Sequence, residues 1–327
     1  MSELQFREAL GRALKEELEA DKNTFLMGEE VAQYNGAYKV SEGLLDQFGD
    51  KRIIDTPIAE LGFVGLGIGA ALYGLRPIIE VMTFNFAMLS LDAVVNTAAK
   101  TRMMSAGKLG CPVVVRGPTG AGGALAAQHS QALEQQYTHI PGLKVVSPST
   151  PADAYGLLRS AIQDPDPVIF MEHESLYGTR GDVPDEPYTI PIGKADIKRE
   201  GKDVTIISWS RQMRQLMEWS EKLVEETNQD IELLDLRTLR PLDRDAIVQS
   251  VQKTNRVVIV EEGWEHSSVS ATVSDLIQRE AFDYLDAPIL RITQRDVPMP
   301  YAPPLEKHTL PSFERIKEAV LTVSYQK

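Results

Sequence analysis

The stretch Asp55-Thr-Pro-Ile-Ala-Glu60-Leu-Gly-Phe63 joins a short apolar strand to an unusually glycine-rich helix. Pro57 can occupy a first helical turn, where its missing N–H costs nothing. The run from Leu61 to Gly74 is small and apolar, which is typical of a buried helix. The stretch therefore predicts a strand and helix unit in which one acid, Glu60, lies at the top of the helix.

The glycines of this helix need an explanation, because each interior glycine costs about 1 kcal/mol relative to alanine. A dinucleotide-binding fingerprint places its glycines in the turn directly after the strand. Here Gly62 lies seven residues past Asp55 and the next glycines, Gly65, Gly67 and Gly69, follow at helical intervals. The spacing disfavours nicotinamide cofactor binding and favours two backbones in close contact, inside the subunit or across an interface.

Composition and charge narrow the class of protein. At 327 residues the chain is expected to form two domains. A net charge of −13 disfavours nucleic acid and anionic membranes as partners. The lone cysteine, Cys111, excludes an internal disulfide and multi-cysteine zinc sites, and the histidines lack metalloprotease spacing.

The sequence also bears on location. The N-terminal residues read as an amphipathic helix with acids, which differs from a signal or transit peptide. No apolar run reaches membrane-spanning length. The predicted location is the bacterial cytoplasm, with a mature plastid or mitochondrial protein as the alternative.

The remaining chain alternates apolar strands with helical patterns, which predicts an α/β fold with parallel sheets covered on both faces. We expect two three-layer α/β/α domains, residues 1–178 and 203–327, joined by a proline-containing linker at residues 179–202. A long helix is predicted at about residues 87–104. The glycine-rich loop of residues 117–123 resembles a phosphate cradle but lacks a following Gly-Lys-Ser/Thr, so it is expected to deliver His129 to an active site.

Several motifs carry a resemblance to a known family. The chain closely resembles, over nearly its whole length, the beta subunits of pyruvate dehydrogenase, within the transketolase-like, thiamine diphosphate-dependent 2-oxoacid dehydrogenases. The motifs are Gly28-Glu-Glu-Val-Ala-Gln33, Gly36-Ala-Tyr-Lys39, Asp55 to Glu60, Gly74-Leu-Arg-Pro77, Met82-Thr-Phe-Asn-Phe86, Ala127-Gln-His-Ser130, Gly142 to Pro148 and Asp296-Val-Pro-Met-Pro-Tyr-Ala302. The resemblance implies a pyrimidine-binding domain followed by a transketolase C-terminal domain.

The resemblance also implies a shared cofactor and two partners. Thiamine diphosphate would lie between this chain and an alpha subunit in an alpha2-beta2 heterotetramer, and alpha would hold magnesium and the diphosphate through a Gly-Asp-Gly motif. In this chain Asp50 and Asp182 follow glycines, but neither precedes one. The implied reaction is oxidative decarboxylation of pyruvate with reductive acetylation of the lipoyl group of dihydrolipoyl acetyltransferase, leading to acetyl-CoA.

Site residues carried over from the family fall on matching positions. Glu60 would be the acid that protonates or hydrogen-bonds the far ring nitrogen of the aminopyrimidine. Phe86 would stack on the pyrimidine with Met82 beside it, although both could be core residues. His129 would donate a proton or orient the substrate during transfer to the lipoyl arm, unless it is an ordinary loop histidine.

Two further sets are implied by the same resemblance. Glu29 and Asp92 resemble acids of a water-filled proton path between paired active sites, although either could be a cap or a solvated charge. A potassium ion bound mainly by backbone carbonyls would fall at Val113, Ala161, Ile162, Asp164 and Asp166. Asp166 departs from the asparagine of some relatives.

Neighbouring functions remain open at this point. Beta subunits of branched-chain 2-oxoacid and acetoin dehydrogenases would share the chemistry of Glu60. The motif Met82-Thr-Phe-Asn-Phe86 resembles the pyruvate type. A different class of function is a structural adaptor whose C-terminal domain anchors the decarboxylase to the acetyltransferase core.

Overall fold

The computed structural model describes residues 1–326, which form two compact units. Unit 1 comprises Met1–Thr119 and Gln136–Ile192, and unit 2 comprises Gly120–Gln135 and the residues from Gly193 onward. Each unit has its own parallel sheet and helices, so the predicted α/β class is confirmed. Among the described residues, no helix has the length and apolar character needed to cross a membrane.

Unit 1 is built on a parallel sheet in which the strands are ordered β6, β7, β5, β4, β2, β3. Its central strands are continuously apolar, as expected for strands covered on both faces. Leu26 on β2 lies opposite Ile53 on β3 and Ile78 on β4. The strands before residue 193 are β1 (Ser2–Gln5), β2 (Thr24–Gly28), β3 (Ile53–Asp55), β4 (Arg76–Glu80), β5 (Val114–Thr119), β6 (Lys144–Val146), β7 (Val168–His173) and β8 (Arg180–Val183).

Two long helices, α1 (Phe6–Ala20) and α7 (Pro151–Gln163), pack on each other beside this sheet. Leu10 and Leu14 on the first meet Leu157 and Leu158 on the second within one buried apolar core. The helices before residue 193 are α1 (Phe6–Ala20), α2 (Leu44–Phe48), α3 (Glu60–Leu72), α4 (Phe84–Ala87), α5 (Thr101–Met104), α6 (Glu134–Thr138) and α7 (Pro151–Gln163). Helices α1 and α7 form the packed pair.

The long helix predicted at about residues 87–104 is wrong as a single element. The chain instead forms α4, a 3₁₀ turn at Met88–Ser90, a π-helix at Ala93–Ala98 and α5. The Ser90 hydroxyl donates to the Ala87 carbonyl at 2.7 Å, and the Thr101 hydroxyl donates to the Thr97 carbonyl at 2.7 Å. Such side-chain bonds compete with the regular helical ladder, and 3₁₀ and π turns interrupt the α-helix here while the backbone stays right-handed helical at Leu91, Asp92 and Ala99.

Unit 2 contains a five-stranded sheet ordered β14, β13, β10, β11, β9, in which only the edge strand β9 is antiparallel. Its core includes Ile206, Leu233, Val258 and Ile316. The strands are β9 (Asp196–Arg199), β10 (Val204–Ser208), β11 (Ile231–Asp235), β12 (Thr238–Arg240), β13 (Val257–Trp264) and β14 (Leu290–Gln294). The helices are α8 (Ser210–Thr227), α9 (Arg244–Thr254), α10 (Val269–Glu280), α11 (Pro303–Thr309) and α12 (Phe313–Val323).

The segment predicted as a linker, residues 179–202, is more structured than its prolines indicate. Strand β8 pairs antiparallel with β1, and the Tyr188 hydroxyl donates to the Ala152 carbonyl at 2.7 Å. Residues up to Ile192 belong to unit 1, whereas β9 belongs to unit 2. The segment lacks periodicity because its packing is made by single residues and short pairings.

Candidate active site

The first feature of the site is Glu60, which is the first residue of α3 and is only 6% exposed. The residue before it, Ala59, has no side chain that could cap the helix. The free N–H groups of the first helical turn favour negative charge at this position. A nearly buried carboxylate is therefore held at the helix N-terminus, as the sequence predicted.

A second buried carboxylate, Glu29, lies beside Glu60. It follows β2 and is 3% exposed, and its Oε2 accepts the Met82 N–H at 3.0 Å. Burial raises the pKa of Glu29, the Met82 N–H lowers that pKa, and the neighbouring charge of Glu60 raises it further. Among the described residues, the other carboxylate oxygen, Oε1, is buried without a hydrogen-bond partner. This site therefore holds two adjacent acids and one unsatisfied polar atom.

The segment that follows β4 carries an exposed aromatic side chain, Phe86. The Thr83 hydroxyl caps α4 by accepting the Asn85 backbone N–H at 3.2 Å. The half-buried Met82 immediately precedes this cap, and Phe86 lies on α4, which contacts α3. Phe86 is 37% exposed. The structure thus brings Glu29, Glu60 and the Met82 backbone together near the carboxyl ends of β2 and β4, and Phe86 lies on a helix that contacts α3.

Asp92 lies on the segment that follows α4 and contacts α3. Its side chain is exposed, and its Oδ1 accepts a hydrogen bond from the Asn96 amide at 2.6 Å. These contacts are those of a solvated carboxylate near α3. A role of Asp92 in a proton path stays a prediction.

His129 lies in unit 2, on the loop of residues 120–135. Its side chain is exposed, and its backbone N–H donates to the Ala126 carbonyl at 3.3 Å. The catalytic role of His129 stays a prediction.

The residues predicted to hold potassium lie around the end of α7 and the start of β5. The Val113 carbonyl accepts from the Val168 N–H at 2.9 Å, and the Ile162 carbonyl accepts from the Arg76 guanidinium at 3.0 Å. The Ala161 carbonyl accepts from the Asp164 N–H at 3.3 Å. Each carbonyl oxygen keeps a second lone pair.

The two aspartates of that set are engaged by cations of the chain itself. Lys144 Nζ lies 2.6 Å and 2.7 Å from the Asp164 carboxylate oxygens, and Arg102 pairs with the Asp166 carboxylate. Their side chains are therefore poor candidates for ligands, which leaves backbone carbonyls. Among the described residues, no cluster of three or more histidine, cysteine or acidic side chains could hold a metal ion.

A buried charge cluster next to the site was not anticipated as such. Arg116 on β5 is fully buried and pairs with Glu80 on β4 and with Glu172 on β7. The Tyr177 hydroxyl donates to Glu172 at 2.7 Å. Burial raises the pKa of Glu80, the Arg116 charge opposes that rise, and the acids Glu172 and Glu29 add to it. The sequence signal for this cluster was the presence of charged residues in the mainly apolar strands β4, β5 and β7.

Unit 2 contains a separate group of buried acids. Burial raises the pKa of Glu134 to about 7 and that of Glu261 to about 7. Glu261 accepts hydrogen bonds from the N–H and the hydroxyl of Ser270 at 3.2 Å and 3.0 Å. The adjacent Glu262 is 6% exposed. The signal for this group was the pair of acids within an apolar strand.

The glycines of α3 fall into two groups: one allows close packing inside unit 1, and the other leaves the surface of the helix open. A Cβ atom on Gly67 would lie 2.5 Å from Ile79 Cδ1, so this glycine allows close packing inside unit 1. A Cβ on Gly65 or Gly69 would meet nothing within 4 Å. Leu61, Leu66 and Tyr73, at the same helix, are 57%, 62% and 93% exposed. One face of α3 is therefore apolar, glycine-rich and uncovered in the single chain.

Comparison with known proteins gives consistent matches over both units. Residues 2–180 match the transketolase pyrimidine binding domain, and residues 193–316 match the transketolase C-terminal domain. The chain is similar to "Pyruvate dehydrogenase E1 component subunit beta" of Rhizobium meliloti (strain 1021), with 53% identity over 100% of this chain and 71% of the relative. It has 53% identity to the protein of the same name from Rickettsia felis, over 99% of each chain.

A mitochondrial relative and a solved structure agree with these matches. The mitochondrial "Pyruvate dehydrogenase E1 component subunit beta" of Dictyostelium discoideum is 52% identical over 98% of this chain and 91% of the relative. The solved structure titled "Split gene transketolase, inactive beta4 tetramer" superposes with a TM-score of 0.80, covering 99% of both chains at 21% identity. At that identity the superposition shows a shared fold.

Proposed function

The chain belongs to the family of pyruvate dehydrogenase E1 component beta subunits, and on that premise we propose that it supplies the pyrimidine-activating half of a thiamine diphosphate-dependent site that decarboxylates pyruvate. The corresponding enzyme is pyruvate dehydrogenase (acetyl-transferring). The observation that carries the proposal is the nearly buried Glu60 at the start of α3, beside a second buried acid, Glu29.

These residues suit the pyrimidine end of thiamine diphosphate. Glu29 Oε1 is a buried oxygen that lacks a hydrogen-bond partner among residues 1–326, and a bound polar group would satisfy it. The exposed ring of Phe86 offers an apolar face for a flat heterocycle. When bound, thiamine diphosphate supplies a carbon nucleophile and an electron sink for decarboxylation of a 2-oxoacid.

Within that site each residue of this chain has a defined task. Glu60 would donate a proton or a hydrogen bond to the far ring nitrogen of the aminopyrimidine, from its position at the start of α3. Glu29, held by the Met82 N–H, keeps a second carboxylate next to Glu60, and its unpaired Oε1 would accept a hydrogen bond from the bound cofactor. Phe86 and Met82 would hold the pyrimidine ring by apolar contact.

The diphosphate end is proposed to belong to another chain. The sequence contains no Gly-Asp-Gly motif, so magnesium and the diphosphate would be held by a pyruvate dehydrogenase alpha subunit. The uncovered face of α3, with open positions at Gly65 and Gly69, suits close packing against that partner. The complete enzyme would then be an alpha2-beta2 heterotetramer in the cytoplasm of a bacterium.

Acetyl transfer is proposed to use the loop of residues 120–135. His129, exposed on that loop, would donate a proton or orient the two-carbon unit as it moves to the lipoyl group of dihydrolipoyl acetyltransferase. The product of that transfer leads to acetyl-CoA. Asp92 is assigned, with Glu29, to a proton path between paired sites.

Potassium is proposed at the backbone carbonyls of residues 113, 161, 162, 164 and 166, where second lone pairs remain. Thermal unfolding of the assembled complex in potassium chloride and in choline chloride tests this assignment. A higher midpoint in potassium is expected, and equal midpoints would remove the ion from the proposal.

The decisive experiment replaces Glu60 by glutamine in the complex reconstituted with the alpha subunit. Thiamine-dependent turnover of pyruvate is expected to fall by at least about 100-fold, because the amide cannot supply the proton. The mass of the complex should not change, and the surface variant Glu42→Gln serves as the matched control. Full activity of Glu60→Gln would eliminate the catalytic role and leave the adaptor function.

The same preparation tests the substrate. Pyruvate, branched-chain 2-oxoacids and acetoin are offered to the unmodified complex at equal concentrations, and initial rates are compared. Pyruvate is expected to react fastest. Faster turnover of a branched-chain 2-oxoacid or of acetoin would assign the chain to the beta subunits of those dehydrogenases.

A further inference from the structure

The loop of residues 120–135, which carries His129, is held at its base by charged side chains of unit 2. At its closure, the Gly120 N–H donates to the Gln131 carbonyl at 2.9 Å. The next residue, Ala121, is fully buried and packs with Met299 and Leu310. The base of the loop is therefore an ordered part of the core of unit 2.

One ion pair, between Arg211 and Glu262, forms hydrogen bonds with both peptide groups of Ala121. Its N–H donates to Glu262 Oε1 at 2.6 Å, and its carbonyl accepts from Arg211 Nη1 at 2.8 Å. The same Arg211 nitrogen lies 3.2 Å from Glu262 Oε2. Hydrogen bonds from charged groups are about twice as strong as neutral ones. The pair thus closes a ring around one residue and fixes the orientation of the two peptide groups on either side of its Cα.

A second acid holds the loop three residues later. The Ala124 N–H donates to Oε2 of Glu306, which lies buried on α11, at 3.0 Å. The backbone of Ala124 has a φ of +52°, a conformation that a non-glycine residue keeps only when its surroundings impose it. Leu125 is 45% exposed and Gln128 is exposed. The loop therefore has a clamped base and a protruding tip that ends at His129.

We propose that Arg211 and Glu262 are positioning residues that set the conformation of the His129 loop before the lipoyl arm arrives. The inference rests on the proposed function, because it is the role assigned to His129 that gives the loop conformation a consequence for the reaction. Glu262 fixes the peptide N–H, Arg211 fixes the peptide carbonyl, and neither side chain touches the reacting atoms. Their contribution is to reduce the conformational freedom of the tip.

Hydrogen exchange on the assembled complex measures the clamp without reference to activity. Glu262→Ala is expected to raise the exchange rates of the Ala121 and Ala124 amides at least about tenfold, since both are then exposed to local opening. Arg214→Met is the matched control, because Arg214 lies on the same helix, α8, and among residues 1–326 pairs only with the exposed Glu218, at 3.0 Å. Unchanged exchange in Glu262→Ala would overturn the proposal.

Separate kinetic steps then test the positioning role. Decarboxylation measured with an artificial electron acceptor is expected to change less than about twofold in Glu262→Ala, and reductive acetylation of a lipoyl domain is expected to fall about tenfold or more. Glu262→Gln, which retains an acceptor oxygen for the Ala121 N–H, should recover part of the loss. An equal fall in both steps would show general damage and overturn the proposal.

A double-mutant cycle with His129→Ala distinguishes positioning of His129 from an independent effect. If the clamp acts through His129, then Glu262→Ala adds little to the loss already caused by His129→Ala. Additive losses would overturn the proposal. Failure of the proposed function is recognised separately, because the unmodified complex would then show no thiamine-dependent pyruvate turnover.

Discussion

Two pairs of buried acids lie near the carboxyl ends of neighbouring strands in unit 1, and they differ in whether a cation is paired with them. Glu80 and Glu172 share the buried guanidinium of Arg116. Glu29 and Glu60 have no cation within reach among the described residues, and one oxygen of Glu29 is unpaired. Among the described residues, a buried arginine therefore lies beside the first acid pair and none lies beside the second.

The difference separates a structural cluster from a functional one. In the first pair, Arg116 forms ion pairs with both carboxylates and opposes the desolvation of Glu80, and the Tyr177 hydroxyl donates to Glu172. In the second pair, Glu29 Oε2 accepts the Met82 N–H, whereas Glu29 Oε1 has no partner among the described residues and could accept a hydrogen bond from a group outside the chain. Glu60 is therefore a better candidate for ligand contact than Glu80, although both are buried.

The largest effect is expected on removal of the cation from the paired cluster. Arg116→Met leaves Glu80 and Glu172 buried and uncompensated, which should lower the free energy of unfolding by about 3–5 kcal/mol. Urea unfolding at pH 8 measures the loss, with Arg279→Met, at an exposed pair with Asp275, as the control.

A triple variant sharpens this first prediction. Arg116→Met combined with Glu80→Gln and Glu172→Gln is expected to recover most of the lost stability, because no charge is then buried. Equal instability of the single and triple variants would mean that packing of the arginine stem, and not its charge, supports the sheet.

An intermediate effect is expected for Glu261, a buried acid of unit 2 that is hydrogen-bonded by hydroxyl and amide donors and lies near the charge of Arg291. The pKa of Glu261 is raised by burial to about 7, above the value near 4.5 that it has in an unfolded chain. The folded state therefore keeps a proton that the unfolded state loses, and stability falls as pH rises from about 4.5 through about 7. The shift corresponds to roughly 3 kcal/mol.

The measurement for this second prediction compares pH profiles of unfolding for the original protein and Glu261→Gln. Other groups contribute equally to both profiles, so their difference isolates the single carboxyl. The difference is expected to grow between pH 5 and pH 7 and to stay constant above that range. A difference that does not vary with pH would show that Glu261 is charged throughout.

The smallest effect is expected at the unpaired cluster itself. Glu29→Gln removes one of two adjacent charges while its amide oxygen can still accept the Met82 N–H, so stability should rise by on the order of 1 kcal/mol at pH 8. At pH 4, where the carboxyl is protonated, the gain should vanish. A loss of stability at pH 8 would mean that an unrecognised cation compensates Glu29, and the contrast between the two clusters would fail.

Much of the fold could be predicted from the sequence, since apolar strands and helical patterns alternate along both units. The position of Glu60 at the start of a helix was predictable too, although Pro57, expected in the first helical turn, lies before α3, which begins at Glu60 with Ala59 as its N-cap. The hydrogen bond between Glu29 and the Met82 N–H was not, since it joins positions 53 residues apart. The ion-pair partners of Arg116 could not be predicted either, because the sequence does not show which strands are neighbours in the sheet.

The loop of His129 illustrates a second limit. Sequence order places residues 120–135 between elements of unit 1, whereas their contacts group them with unit 2. Those contacts come from Arg211, Glu262 and Glu306, at separations of 90, 141 and 182 residues. No local pattern encodes such pairings. The broken helix at residues 84–104 was missed for a related reason, because hydroxyl bonds to the backbone do not alter apolar periodicity.

The uncovered face of α3 has a consequence for how such an enzyme would respond to its own abundance. The helix that begins with Glu60 is the same helix that leaves Gly65 and Gly69 open for a neighbour. If assembly covers that face, specific activity becomes a function of dilution, and it declines once the subunits fall below their dissociation constant. A cell that makes one subunit in excess would then gain no catalysis from the surplus, so the stoichiometry of synthesis would set the output.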